Sequence, residues 1–62
     1  MMDPELSRLA GRAMSTPPFL RLSVEKRDAF VAACEEAGTV KRLPEKWLRL
    51  LRVAMPYIVR HR

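Results

Sequence analysis

The chain has 62 residues, 48% of them hydrophobic and 31% charged, with a net charge of +5. That length allows one domain with a single small core, and the lone Cys34 and lone His61 exclude both an intramolecular disulfide and a tetrahedral zinc site built by one chain. No apolar run approaches the ~20 residues that span a bilayer, and Asp3 and Glu5 stand where a secretory signal would be basic, so the chain reads as soluble and cytoplasmic.

The charge is segregated. Residues 1–40 hold Arg8, Arg12, Arg21, Lys26 and Arg27 against Asp3, Glu5, Glu25, Asp28, Glu35 and Glu36, a net −1. Residues 41–62 hold seven cations against Glu45 alone, a net +6. A field with direction of this kind attracts polyanions.

Taken in order, Asp3-Pro4-Glu5 starts a first helix near residues 4–14: an N-cap carboxylate, proline at the first helical position and an acid in the first turn. Leu6, Leu9, Ala10 and Ala13 follow on one face, and Gly11 weakens the interior. Met14-Ser15-Thr16 also resembles an ordinary chain start, so residues 1–13 read either as this helix or as a dispensable extension. Ser15-Thr16-Pro17-Pro18 is expected to break the helix into an extended, polyproline-like loop. Phe19, Leu20 and Leu22 then form a strap pinned into the core, because no second strand is available to pair with it.

Ser23 caps a second helix over residues 24–37, and Gly38 stands at its left-handed C-cap. Val24, Phe30, Val31, Ala33, Cys34 and Ala37 lie on one side of it, with Glu25, Asp28, Glu35 and Glu36 on the other. The short connection through Arg42 makes the second and third helices neighbours.

Leu43 to Arg62 carries the strongest pattern. At about 100° per residue, Leu43, Trp47, Leu50, Leu51, Ala54, Met55, Tyr57 and Ile58 share one half of a helical circle. The other half is charged, with Val53 its one apolar intruder. Pro56 removes a backbone hydrogen bond and clashes with the Arg52 carbonyl. Ile58 and Arg60 nevertheless keep phase, which predicts a kinked continuation over residues 44–60. The expected fold is therefore all-α: a small three-helix domain, one unit over residues 1–62, with a Pro-Pro loop between helices 1 and 2 and a longer, Pro-kinked amphipathic third helix. Trp47 belongs in its core.

No catalytic constellation emerges. Cys34 sits among apolar neighbours with no cation placed to activate it, and the carboxylates of the second helix have no pocket; no metal, cofactor or enzymatic activity is expected. A helix-turn-helix fits poorly. The connection from Gly38 to Pro44 is long for that motif, and a recognition helix opening Pro-Glu-Lys-Trp puts an acid and an apolar ring where base readers belong. The aromatics are too few to stack single-stranded bases. A membrane surface would compete for the face that must also be the core.

Two functions remain. In the first, Lys41, Arg42, Lys46, Arg49 and Arg52, with Arg60 and Arg62 at the tail, contact phosphates, making the protein a small nucleic-acid-binding regulatory or accessory factor. In the second it is a protein-interaction module that docks or forms a homo-oligomer through its third helix. The segregated charge favours the first.

Overall fold

The computed structural model describes residues 1–59. They form four α-helices and one 3₁₀ turn, with no strand among them: α1 (Pro4–Ala13), α2 (Pro17–Leu20), α3 (Val24–Ala37), the turn Val40–Arg42 and α4 (Glu45–Val59). The all-α expectation holds, and α4 is the third helix of the sequence reading.

The helix starts are set locally. Asp3 Oδ1 accepts from the Leu6 amide at 2.7 Å, and Ser23 Oγ accepts from the Lys26 amide at 3.2 Å. Each side chain satisfies an amide that has no partner inside its helix. Gly38 ends α3 at φ 80°, a conformation that favours glycine, and its amide donates to the Cys34 carbonyl at 2.9 Å. The Gly38 carbonyl then accepts from the Asp3 amide at 2.8 Å, which ties the start of α1 to the end of α3.

The Pro-Pro segment corrects the expectation of an extended loop and strap. Pro17 and Pro18 open a single helical turn, with Thr16 extended ahead of them at ψ 153°. The first positions of a helix have amides without intrahelical acceptors, so a residue lacking an N–H loses nothing there. The turn rolls Phe19 fully inward and leaves Leu20 exposed.

Phe30 stands at the centre of the core. Its ring lies 4.7 Å from that of Phe19 and 5.4 Å from that of Trp47, tilted at 58° and 61°. Edge-to-face pairs at such distances add to the burial itself. Around this trio Leu6, Ala10, Ala13, Cys34, Leu43, Leu51 and Ala54 are buried. Small residues on α1 and α4 let those two helices approach closely, and α2 also packs on α4.

Two expected faces are narrower than the sequence pattern implied. On α4 only Trp47, Leu51 and Ala54 are buried, a stripe of i, i+4, i+7 spacing, while Met55 and Tyr57 are exposed. On α3 Phe30 and Cys34 are buried, and Val24 is 64% exposed. With so few elements to cover them, the helices bury a seam rather than half a circumference. Helix α4 runs through Pro56 to Val59, as the phase of Ile58 predicted.

Candidate functional site: the cationic side of α4 and its groove with α3

The segment of concentrated charge folds into the 3₁₀ turn and the first half of α4. Lys41 and Arg42 are on the turn, Lys46, Arg49 and Arg52 on the helix, and all five side chains are exposed. Arg60 and Arg62, also expected to contact phosphates, lie outside the described residues, as does His61.

Glu45 is the one acid of the segment, and it sits among these cations. Its Oε2 is 3.6 Å from Arg49 Nε and 3.6 Å from Arg52 Nη1, with the two arginine side chains 76% and 71% exposed. One carboxylate shared by two solvated guanidinium groups holds neither firmly, because exposed pairs are screened and contribute at most about 1 kcal/mol. Both arginines are therefore free to exchange Glu45 for a phosphate. Lys46 leans the other way, with Nζ 5.1 Å from the centroid of the Trp47 ring, close enough for a cation–π contact.

Helices α3 and α4 face one another through Phe30 and Trp47, but their backbones approach less closely than those of α1 and α4. The space between them opens as a cleft of about 450 Å³. Leu22, Ala29, Leu50 and Val53 make its apolar floor with Trp47, and Lys26, Lys46 and Arg49 are its charged lining residues. Val53, the intruder on the polar half of the helical circle, is 55% exposed at this floor. The connection ahead of α4 lies beside the end of α3, where Arg42 and Pro44 line one pocket with Ala33, Glu36 and Ala37. The first half of α4 lies across the groove from the first half of α3, with Lys46, Arg49 and Val53 lining it beside Lys26 and Ala29. This brings Lys26 to two of the expected site residues. Sequence reasoning missed Lys26, because its grouping with Lys46 and Arg49 depends on how the helices pack.

Cys34 is buried, and its thiol is pushed up to about 11 by burial, the reverse of what a nucleophile needs. Among the described residues no group of three or more His, Cys, Asp or Glu is arranged to hold a metal ion, and no helix is long and apolar enough to cross a membrane.

No family model matches the chain, and neither curated proteins nor solved structures provide a match.

Proposed function

We propose that this protein binds a polyanion, and that the polyanion is the phosphate backbone of double-stranded nucleic acid. The observation that carries the reading is the exposure of all five cations of residues 41–52, opposed within the segment by Glu45 alone. Arginine supplies three of the five, and its planar fork suits phosphate oxygens. The burial of Phe19, Phe30 and Trp47 favours a duplex over a single strand, since none of these rings offers a platform for unstacked bases. The contact is to the backbone, with little sequence preference. On this reading the protein works in the cytoplasm as a non-enzymatic regulatory or accessory factor.

The test is fluorescence anisotropy with a labelled DNA duplex and an RNA duplex over a salt series. Engagement of five to seven cations predicts a slope of log K against log salt of roughly −4.5 to −6.3. Arg49→Glu with Arg52→Glu abolishes binding while the helical circular dichroism stays unchanged. A protein that binds neither duplex at low salt overturns the reading.

A further inference from the structure

The groove between α3 and α4 has a feature that phosphate binding does not use. A nucleic-acid backbone satisfies Lys26, Lys46 and Arg49, but it gains nothing from Leu22, Leu50 and Val53. Apolar surface is driven out of water only by other apolar surface, and here it is continuous with three cations and lined by no carboxylate. Glu45, which reaches Arg49 at 3.6 Å, is not among the lining residues.

We propose that this groove is a docking site for an acidic amphipathic helix of another protein. An apolar stripe at i, i+3/i+4, i+7 on the incoming helix covers Leu22, Leu50 and Val53. Asp or Glu flanking that stripe meets Lys26 on the α3 side and Lys46 and Arg49 on the α4 side. A cleft between two helices is the geometry that accepts a third, and charge of one sign along both its sides selects the occupant.

A second copy of the chain is the less suitable occupant. Its acidic surface is the outer face of α3, where Glu25, Asp28 and Glu35 are exposed. The exposed apolar residues of α3 are Val24, Ala29 and Ala32, of which Ala29 already lines the groove, too little to cover the floor. The contact would also join two different faces of the molecule, a head-to-tail arrangement that propagates instead of closing into a dimer.

Trp47 is the single tryptophan and lines the groove, so its fluorescence reports occupation directly. The experiment titrates the protein with a synthetic helical peptide carrying Leu at i, i+4 and i+7 and Glu elsewhere. Two controls accompany it: the same composition with the leucines scattered around the helix, and oligoglutamate. Saturable binding is expected, at least about tenfold tighter for the amphipathic peptide than for either control. Val53→Gln weakens it at least about tenfold with the helical dichroism unchanged, and Lys26→Glu weakens it as well. Val53→Gln alters no charge and leaves duplex affinity as it was, so the groove and the proposed phosphate contacts succeed or fail separately. The proposal is overturned by oligoglutamate binding as tightly as the amphipathic peptide, by Val53→Gln binding like the wild type, or by no binding at all. Sedimentation showing self-association through the groove that the peptide does not displace would assign it to a second copy, and also overturns it.

Discussion

The hydroxyl of Thr16 donates to the carbonyl of Ala13 at 2.6 Å, out of contact with solvent. The Thr16 amide donates to the same carbonyl at 3.0 Å, and the Thr16 carbonyl accepts from Phe19 and Leu20. One residue thus closes α1 and opens α2. Replacement Thr16→Val keeps the shape and removes the hydroxyl. The Ala13 carbonyl retains its amide partner, so the cost is that of one hydrogen bond, about 1 kcal/mol. For a domain of this size the melting temperature falls by about 4–8 °C, while Thr16→Ser stays nearer the wild type. Thermal denaturation followed at 222 nm measures both, and a Val variant as stable as the wild type would show that the bond contributes nothing.

That junction also marks where the sequence stops being readable. Asp3, Ser23 and Gly38 are decided within a few residues of chain: Asp3 and Ser23 make the expected cap hydrogen bonds, and Gly38 takes the expected positive φ, though its ψ of −34° lies outside the left-handed helical well. Pro17-Pro18 is compatible with an extended loop and equally with the first turn of a helix. The choice depends on burying Phe19 against Phe30, a contact between elements that local pattern does not contain. The same limit governs the candidate site. The cations of residues 41–52 share a segment and are visible as a cluster. Lys26 joins Lys46 and Arg49 only because α3 and α4 border one groove, and Val53 looks like an error of patterning until the groove around it is seen.

The two glycines predict opposite outcomes for the same substitution. A Cβ at Gly11 meets nothing within 4 Å. Gly11→Ala therefore removes a helix-interior glycine without a clash and stabilises by about 0.5–1 kcal/mol. At Gly38 the φ of 80° is strained for alanine, and the Cβ would come to 3.4 Å from the Met1 carbonyl oxygen. Gly38→Ala is expected to destabilise by about 1 kcal/mol or more. Urea denaturation of both variants gives the comparison, and shifts of the same sign would contradict it.

Residues 1–13 contribute more than a helix. Leu6 and Ala13 are fully buried, Ala10 nearly so, and the Asp3 amide holds the carbonyl of Gly38. Losing one buried leucine alone costs about 2–5 kcal/mol, against a total stability of roughly 3–9 kcal/mol for a chain of this length. A chain starting at Met14 is predicted to lose its cooperative thermal transition and its near-ultraviolet dichroism from Trp47. A sharp melt from the shortened chain would show that α1 is dispensable.

Cys34 gives the fold an alkaline limit. Burial raises the thiol from 9.0 to about 11. Above about pH 9 the unfolded chain has released this proton and the folded chain has not. The folded state then binds more protons, so stability falls as pH rises through this window. It is fully present below pH 9, and its loss by pH 11 amounts to about 2–3 kcal/mol. Cys34→Ala removes the titration and costs a packing term that does not depend on pH. The stability gap between wild type and variant should therefore narrow from pH 8 to pH 11. A gap that stays constant would show that the thiol is no better protected folded than unfolded.

Glu45 tests the proposed phosphate contacts by addition instead of loss. Its carboxylate is shared by Arg49 and Arg52 at 3.6 Å each, and a phosphate must displace it to gain both guanidinium groups. Glu45→Gln keeps the side-chain length, removes one repulsive charge from the path of the duplex and leaves both arginines exposed. Affinity for duplex DNA at low salt is expected to rise by about two- to tenfold. The gain should shrink as salt is added, since the repulsion it removes is between exposed charges. Glu45 also lies in the first turn of α4, where an acid faces the positive end of the helix. The substitution therefore costs a few tenths of a kcal/mol in stability, about 0.3–1 kcal/mol at low salt. Tighter binding together with a slightly lower melting temperature is the combined signature. If affinity is unchanged while stability drops, Glu45 acts only on the helix, and the duplex does not approach through Arg49 and Arg52.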